Sequence, residues 1–560
     1  MTQRTLVFGA MPQGATPQTH IASGAWCFTG QEALFPQWDS VWPLPPDPYA
    51  DVESLCAAEL AANAEIVRLM PHLAEECNKR RGTQHSGLFW ETALAPWLLT
   101  SVHAFTERRA RLRGLIETYA DEVLIVPVLP ENCEFFFRNS AEYMVHGIQD
   151  REFNHFVFSH LLRSAVPDNW ELRELPPRRI HNAAGPAAGL KHILRKLLLR
   201  MPFPHVKGFA LWQSAALSLV LAANCRDNDA TIPLAAYAAP PAEPECDFLP
   251  LLLRCLPLDA LRAPIPAPPS RRGRIRIMAG EYMQEEAYSL RMAAWREGGG
   301  RLVVCQHGGN NGVLRVAGSC ALDSRSHALL TWGWTQQGEA PGNHVPVPHP
   351  LVTGIVDAHK ERTGELILVG TEMSAYAYRL KSRPMTAGLV AYRKEKLRFF
   401  AALPEHVRHA ARYRPYFAVK NGLNDGPYVQ AALPDIALCA GSLMPRLLGC
   451  RMAALDHYGT TMHLALAANI PLVCYWDHNM WGMTPEAEEK FALLREAGIV
   501  YMDATLAAAH IASVWGDVPA WWQSGLVQRA RRQWTESYAC GTAQSAWRLT
   551  LRWRRVLSGL

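Results

Sequence analysis

The sequence lacks the features of a membrane-spanning or disulfide-stabilised protein. Its apolar runs are all shorter than the roughly 18 to 20 residues that a helix needs to cross a bilayer, and its N-terminus has no signal-peptide core. Thirteen cysteines are present, but they form no Cys-x-x-Cys pair and no Cys/His spacing typical of a zinc site. We therefore expect a metal-independent protein of the reducing cytoplasm, with at most a peripheral contact with the inner membrane.

Charged residues are also scarce. They make up 19% of the 560 residues, the net charge is only +5, and 49% of the residues are hydrophobic. This composition predicts an ordered globular protein and gives no reason to expect nucleic acid as a partner, although local basic clusters could meet phosphates or anionic headgroups. The length exceeds what one hydrophobic core usually organises, which predicts two large domains.

The pattern of apolar residues predicts an α/β fold. Residues 5–10 and 122–129 have strand character, and the stretch from Val52 to Tyr119 between them is helical, with expected breaks at Pro71 and Pro96. In the C-terminal half, short apolar strands alternate with helices. The strands of this series are predicted at 366–369, 436–440, 452–455, 471–475 and 499–502. Such a βαβ series is typical of a parallel sheet with right-handed crossovers.

Other segments are predicted as helices or linkers. Lys191 to Arg200 has the pattern of a basic amphipathic helix, and Ala520 to Trp553 that of one long helical stretch rich in Trp and Arg. Phe248 to Leu261 could form a helix within a region rich in proline and alanine. Only Ala263 to Arg272 has the composition of a linker.

The strongest local signal is a strand that ends in a histidine and a cluster of glycines. Leu302 to Cys305 are consecutive apolar residues, as in a strand covered on both faces, and parallel sheets bind ligands where their strands end. Gly308, Gly309 and Gly312 permit close approach of a ligand to the backbone. His307 offers a ring that donates to an oxyanion or moves a proton. This loop is a candidate site for a phosphorylated ligand, although a tight glycine turn with a structural histidine explains the same residues.

A second candidate phosphate site follows the predicted strand at 452–455. Asp456 opens the loop, and Thr460 and Thr461 fall at the start of the next helix, where free amides and the helix dipole attract an anion. Helix capping alone would explain one of the threonines. The position after a parallel strand favours a nucleotide-binding role for the loop.

Three more side chains follow or end predicted strands. Glu372 comes after the strand 366–369 and could accept a hydrogen bond from a sugar hydroxyl, or simply favour the following helix start. Arg412 and Arg414 could supply the bidentate cation that phosphates prefer, or be solvated at an exposed strand end. The sequence Trp332-Gly-Trp334 is interpreted as packing.

Candidates for a catalytic acid or base are few. Asp150 begins a predicted helix at 150–160, with His155 about one and a half turns further on. Glu281 follows the predicted strand 274–279 and would lie beside the His307 loop if the two strands are neighbours. Acidic residues of this kind can equally be surface groups.

Taken together, these motifs resemble those of a bacterial family of transferases found in O-antigen and other surface-polysaccharide loci. The resemblance spans most of the chain. It is carried by Phe89-Trp-Glu-Thr-Ala-Leu-Ala-Pro-Trp-Leu, Gln306-His-Gly-Gly-x-x-Gly312, Thr331-Trp-Gly-Trp334, Asp456-x-x-x-Thr-Thr461, Asn469-Ile-Pro471 and Ala497-Gly-Ile499.

The resemblance implies a GT-B-like glycosyltransferase, in which two Rossmann-like domains face each other across a cleft. Residues 1–355 would be the N-terminal acceptor domain with a helical insertion at about 50–120, residues 356–520 the nucleotide-sugar domain, and residues 521–560 helices that pack back. It implies a role in lipopolysaccharide or other surface-glycan biosynthesis, no cofactor beyond a nucleotide-sugar co-substrate, and a glycan or lipid-linked glycan as acceptor. By wider analogy with Kdo and sialic-acid transferases, the donor would be a CMP-linked ulosonic acid.

The resemblance also implies roles for the candidate residues. His307 and the amides after Gly308 would stabilise donor phosphate or carboxylate, while Glu281 or Asp150 would deprotonate the acceptor. The other donor-binding candidates are Gly309, Gly312, Glu372, Arg412, Arg414, Asp456, Thr460, Thr461 and His463.

Two positions depart from the family pattern. Asn311 stands where an aromatic residue is expected, and Leu464 where many relatives have an acidic one, so that a carboxylate contact to the ribose is lost and His463 becomes the candidate substitute. Two alternatives therefore stay open. One is a polyol-phosphate transferase with a CDP-linked donor, and the other is a non-catalytic glycan- or nucleotide-binding subunit.

Overall fold

The structure is a computed structural model in which helices surround parallel β-sheets. It describes residues 3–49, 51–182, 209–210, 212–217, 248–267, 275–279, 286–315, 327–335, 343–380, 386–477, 480–541 and 545–559. The predicted helix at 191–200 lies outside the described residues. Every named strand pair in the described part of the chain is parallel, which confirms the predicted α/β class. In that same part, no helix is long and apolar enough to cross a membrane.

The N-terminal sheet has four strands in the order β2-β1-β3-β5. Its strands are β1 (Arg4–Val7), β2 (His20–Ala22), β3 (Leu124–Val128) and β5 (Trp170–Glu174), beside a separate pair formed by β4 (Glu134–Phe136) and β6 (Arg179–Asn182). The helices of this region are α1 (Trp38–Val41), α2 (Val52–Arg81), α3 (Gly87–Thr118), α4 (Ser140–Tyr143), α5 (Arg151–Leu162), α6 (Leu249–Cys255) and α7 (Leu258–Arg262). The predicted helical insertion is therefore the long pair α2 and α3.

The expected proline breaks in this pair were wrong, because Pro71 lies inside α2 and Pro96 inside α3. A proline in a helix interior removes one hydrogen bond and costs about 3 kcal/mol or more. The two helices pack along each other, and α3 buries most of its middle portion. Tertiary packing over about thirty residues outweighs the local cost, and side-chain caps from Asp51 and Ser86 fix where each helix begins.

A second four-stranded sheet, in the order β10-β9-β8-β7, carries the glycine-rich loop. Its strands are β7 (Ile275–Ala279), β8 (Arg301–Cys305), β9 (Ala328–Thr331) and β10 (His344–Pro346), with helices α8 (Glu286–Glu297) and α9 (Pro350–Thr353). All five residues of β8 are buried, as the apolar run predicts. The strands β7 and β8 are neighbours, as the proposed position of Glu281 beside the His307 loop requires. Glu281 itself lies outside the described residues.

The C-terminal sheet has six strands in the order β13-β12-β11-β14-β15-β16. These are β11 (Leu366–Val369), β12 (Ala411–Arg414), β13 (Ala437–Leu438), β14 (Met452–Leu455), β15 (Leu472–Tyr475) and β16 (Val500–Tyr501). Counted from its first strand, the order is 3-2-1-4-5-6, the Rossmann arrangement, and the strand order reverses between β11 and β14. Ligands of open α/β sheets bind at the carboxyl ends of the strands that flank such a switch point.

Helices cover this last sheet and continue to the end of the described chain. They are α10 (Thr386–Ala402), α11 (Glu405–Arg408), α12 (Asp425–Ala432), α13 (Leu443–Gly449), α14 (Thr460–Ala467), α15 (Pro485–Glu496), α16 (Ala504–Val514), α17 (Val518–Trp522), α18 (Gly525–Tyr538) and α19 (Ala546–Gly559). The single stretch predicted from Ala520 to Trp553 is instead part of three helices. Ser524 caps the start of α18 through its hydroxyl, which breaks the helix locally even though the apolar spacing continues.

The N-terminal and C-terminal sheets are joined by polar contacts, one of them buried and one half-buried. Arg108, which is 1% exposed, donates from α3 to the carbonyl of Ala377 and, at 2.9 Å, to Asn154 Oδ1. Lys420 Nζ lies 2.6 Å from Asp150 Oδ2. The hydrophobic core around the N-terminal sheet also includes Ala375, Tyr376, Ala377 and Leu380, so the segment that follows β11 packs against the N-terminal half.

Candidate functional site

The site is built on the two loops that flank the switch point. The Asp456 side chain, 1% exposed, extends from the end of β14 toward the loop after β11. Its Oδ1 accepts a hydrogen bond from the Thr371 amide at 2.9 Å, and His457 Nδ1 lies 2.8 Å from the same oxygen. Asp456 thus fixes the two loops to each other.

A buried lysine lies between two carboxylates beneath these loops. Lys396 of α10 is 1% exposed, and its Nζ is 2.7 Å from Asp425 Oδ2 and 3.4 Å from Asp456 Oδ2. It also donates to the Thr371 carbonyl at 3.1 Å. Burial acts to lower the pKa of Lys396, but the two carboxylates outweigh it and the pKa is raised. The lysine is therefore charged and holds together elements that are far apart in sequence.

Glu372 lies in the same region, but its carboxylate is turned toward the start of α12. The amides of Asn424 and Asp425 donate to its two oxygens at 2.7 and 3.2 Å. The side chain is 6% exposed, and burial, together with the nearby charge of Asp425, raises its pKa. To accept a hydrogen bond from a sugar as predicted, Glu372 would have to share or give up its hydrogen bonds with the start of α12.

The glycine-rich loop after β8 contacts the second predicted phosphate site directly. The Gly309 amide donates to Thr460 Oγ1 at 3.1 Å. The Gly309 carbonyl accepts from the Tyr458 hydroxyl and lies 3.1 Å from His463 Nε2. Two motifs that are about 150 residues apart in the sequence therefore form one site at the N-terminus of α14.

Gln306 fixes the first part of this loop. Its Nε2 donates to the Gly308 carbonyl at 2.7 Å, while its Oε1 accepts from the Trp332 amide and from Trp334 Nε1, both at 2.9 Å. Trp332 and Trp334 are 0% and 5% exposed, so the interpretation of this pair as packing is confirmed. His307 itself is exposed, between two residues that are held in place.

His463 is buried beneath the loop rather than in an open cleft. It is 0% exposed, its Nε2 lies 2.7 Å from the Tyr458 hydroxyl, and its ring is 5.6 Å from that of Trp534. Burial lowers the pKa of His463 to about 4, so the ring is neutral near neutral pH. This position gives it the role of supporting Gly309, and direct contact with a donor would require the loop to move.

The remaining candidates are distributed over both ends of the C-terminal sheet. Thr460 and Thr461 are half-buried and begin α14, as predicted. Arg414 is at the carboxyl end of β12, where it donates to the Cys439 carbonyl at 2.8 Å. Arg412, by contrast, donates to the His409 and Ala411 carbonyls at the amino end of that strand, away from the switch-point loops. The two arginines are only two residues apart on β12, but their side chains bind at different ends of the strand.

Asp150 is occupied by structural contacts. Its Oδ1 accepts from the Glu152 and Phe153 amides and so caps α5, and its Oδ2 pairs with Lys420. A general base needs a free carboxylate oxygen within reach of the acceptor hydroxyl.

Within the described ranges, no group of three His, Cys, Asp or Glu side chains could hold a metal ion. Metal independence stays a prediction.

Sequence reasoning missed the buried partners of the site. Lys396 lies in a run of charged residues that begins at Arg393, and Asp425 has the position of a common helix-start residue. Gln306 begins the motif Gln306-His-Gly-Gly-x-x-Gly312, but no local pattern predicts that it accepts hydrogen bonds from both tryptophans. The signals for all three residues are long-range contacts, which a single sequence does not contain.

Gly309→Ala is expected to destabilise the protein by about 1–3 kcal/mol, the usual cost of overpacking. A Cβ at this position would lie 2.3 Å from His463 Cδ2 and 3.2 Å from the Thr460 backbone. Gly308→Ala is the matched control, because its Cβ would meet only the Thr460 hydroxyl, at 3.1 Å. Urea unfolding of both variants measures the effect. Equal stability of the two variants would show that the loop does not lie against α14.

Comparison with known proteins gives the class of the chain. The model of the LIC12162 family of transferases matches residues 4–552, which is nearly the whole sequence, and the protein belongs to this family. It is therefore a transferase. No curated protein matches the chain.

One similar solved structure is a mutant O-GlcNAc transferase of Thermobaculum terrenum. It is 12% identical, the alignment covers 96% of this chain and 87% of that one, and the TM-score is 0.30. A TM-score this low supports no inference about fold or function.

Proposed function

We propose that the protein is a glycosyltransferase whose nucleotide-sugar donor binds at the switch point of the C-terminal sheet. The observation that carries the proposal is the contact between the Gly309 amide and Thr460 at the start of α14. It joins the β8 loop to a Rossmann-type sheet at the edge where such sheets bind nucleotides. The family membership supports group transfer in general, and the resemblance to surface-polysaccharide transferases supports a glycan or lipid-linked glycan as acceptor.

Donor phosphate would bind at the start of α14. The Thr460 oxygen already accepts from Gly309, which leaves its own O–H to donate to an anion. Thr461 adds a second hydroxyl, and the N-terminal end of the helix dipole attracts negative charge. Arg414 would reach the donor only after giving up its bond to the Cys439 carbonyl.

His307 is the described side chain best placed for proton transfer or oxyanion stabilisation. It is exposed at the end of β8, next to the residues that contact α14. The carboxylate of Asp150 is committed to a helix cap and an ion pair. We therefore assign the first catalytic role to His307 and retain Glu281 and Asp150 as candidate bases.

A thermal-shift screen against CMP, CDP, UDP, GDP and ADP tests the proposal. A nucleotide present at about one hundred times its dissociation constant stabilises a fold by roughly 2.7 kcal/mol. We expect one nucleotide to raise Tm selectively, and we expect CMP to do so if the donor is an activated ulosonic acid such as Kdo. Thr461→Val should reduce that shift, whereas Thr505→Val, at the start of α16, serves as a matched control. No shift with any nucleotide would favour a non-catalytic binding subunit.

Product analysis separates glycosyl transfer from polyol-phosphate transfer. The second reaction is favoured by one observation, which is that the described site offers an exposed histidine but no uncommitted carboxylate. A glycosidic bond in the product supports our proposal. A new phosphodiester would replace it with the alternative.

A further inference from the structure

The outer face of α19 combines exposed tryptophan, leucine and arginine side chains. Trp547 and Leu551 are 59% and 43% exposed, and their spacing of four residues makes them neighbours on the helix surface. Trp212, 47% exposed, stacks on Trp547 with ring centroids 6.3 Å apart. We call these three residues, together with the exposed arginines of α19, the Trp–Arg face. The arginines are Arg548, Arg552, Arg554 and Arg555.

The inner face of α19 holds the helix in place. Leu549, Trp553 and Leu557 are buried in a core shared with β8 and β9. Trp553 Nε1 donates to the Pro348 carbonyl at 2.8 Å. Gln213, which follows Trp212, donates to the Ala546 carbonyl at 3.2 Å and to Thr550 Oγ1 at 3.1 Å. The Trp–Arg face is thus turned outward by specific contacts and is not a frayed end.

The charge of this helix is of one sign. Its fourteen residues include four arginines and no Asp, Glu or Lys. The whole protein carries a net charge of only +5, so this one helix concentrates a large part of the positive excess. A cationic face of this kind is complementary to an anionic surface.

We propose that the Trp–Arg face docks the protein on an anionic lipid bilayer. Tryptophan rings prefer the headgroup region of a membrane, a neighbouring leucine can enter the acyl boundary, and arginines pair with lipid phosphates while their stems lie along apolar surface. The continuous apolar strip of Trp547 and Leu551 between arginines favours a bilayer over a nucleic acid, which would leave the leucine without a partner. The proposal concerns surface attachment and does not depend on the transferred group.

Vesicle co-sedimentation of the full chain tests this inference. Vesicles of phosphatidylcholine with about one third phosphatidylglycerol are compared with vesicles of phosphatidylcholine alone. We expect binding only to the anionic vesicles, and at least about a ten-fold loss when NaCl is raised from about 0.05 to about 0.5 M, because salt screens exposed charges. No donor or acceptor is present, so the outcome is independent of transferase activity.

Two variants locate the bilayer contact. Trp547→Ser with Leu551→Ser removes the apolar strip, and Arg548→Glu with Arg552→Glu reverses two charges. Each is expected to lower the vesicle partition coefficient by about ten-fold or more. The matched controls are Met502→Ser with Leu506→Ser, which are 57% and 59% exposed elsewhere, and Arg529→Glu with Arg532→Glu on α18. All of the substituted side chains are exposed, and circular dichroism checks that each variant is folded.

Three results would overturn the proposal. The first is equal sedimentation with neutral and anionic vesicles. The second is a loss in the controls as large as in the Trp–Arg variants. The third is salt-dependent binding to single-stranded or double-stranded nucleic acid without binding to anionic vesicles, which would identify the face as a nucleic-acid surface instead.

Discussion

His307→Ala is expected to lower kcat by about two to four orders of magnitude while leaving the fold intact. His307 is exposed, whereas its neighbours are held by other groups: Gln306 by Trp332 and Trp334, and Gly309 by Thr460. The hydrogen bonds of Gln306 and Gly309 do not involve the imidazole, so the loop is expected to stay anchored when the imidazole is removed. Initial rates of group transfer, with urea unfolding in parallel, measure both quantities.

The chemical role of His307 can be separated by a conservative variant. His307→Gln keeps a hydrogen-bond donor but cannot transfer a proton, so it should retain more activity than His307→Ala only if the ring stabilises an oxyanion. His409→Ala is the matched control, because that histidine is 70% exposed near the opposite end of the sheet. Wild-type turnover in His307→Ala would remove this residue from the mechanism.

Lys396→Met is expected to destabilise the protein by about 3–5 kcal/mol, because it removes the ammonium between two buried carboxylates. Asp425 keeps Arg393, whose Nε lies 3.3 Å from Asp425 Oδ1, but Asp456 loses its lysine partner. Asp425 and Asp456 are 3% and 1% exposed, and both approach the Lys396 ammonium. Chemical denaturation followed by tryptophan fluorescence gives the change. The double variant Lys396→Met with Asp456→Asn should recover part of the loss, since it also removes the buried carboxylate that has lost its lysine partner.

A neighbouring lysine gives the control for this effect. Lys394 is only partly buried and donates to the Asp39 carbonyl at 3.0 Å, so Lys394→Met should cost less than about 1 kcal/mol. A similar cost for both lysines would contradict the role of the buried cation.

Because the pKa of Lys396 is raised, the stability that its ammonium group contributes to the folded protein depends on pH. The folded protein holds this proton more tightly than the unfolded chain does, so the stabilisation is fully present below the unfolded lysine pKa of about 10.4. It is lost as pH rises through the higher folded value. The stability difference between wild type and Lys396→Met should therefore persist across neutral pH and shrink in strongly alkaline solution.

Local sequence patterns predicted much of the C-terminal half. The strands at Leu366–Val369 and Met452–Leu455 have the predicted bounds. Their apolar spacing is read within one element, where the period of a helix or strand decides which residues are buried. The predictions failed where packing outweighs a local rule, as at Pro71 and Pro96. The domain boundaries stay predictions, and residues 1–355 contain two separate four-stranded sheets.

The sequence by itself determined the α/β class and placed the glycine loop and the Thr460 loop after strands, because strand, loop and helix signals are local. Only the tertiary structure decided that these loops touch, that His463 is buried beneath Gly309, and that Lys396 lies between two aspartates. The order of the strands in a sheet brings their carboxyl ends together regardless of distance along the chain. Polar groups that are buried at these strand ends need hydrogen-bond partners. Their partners come from elements that are distant in the sequence, which local patterns do not reveal.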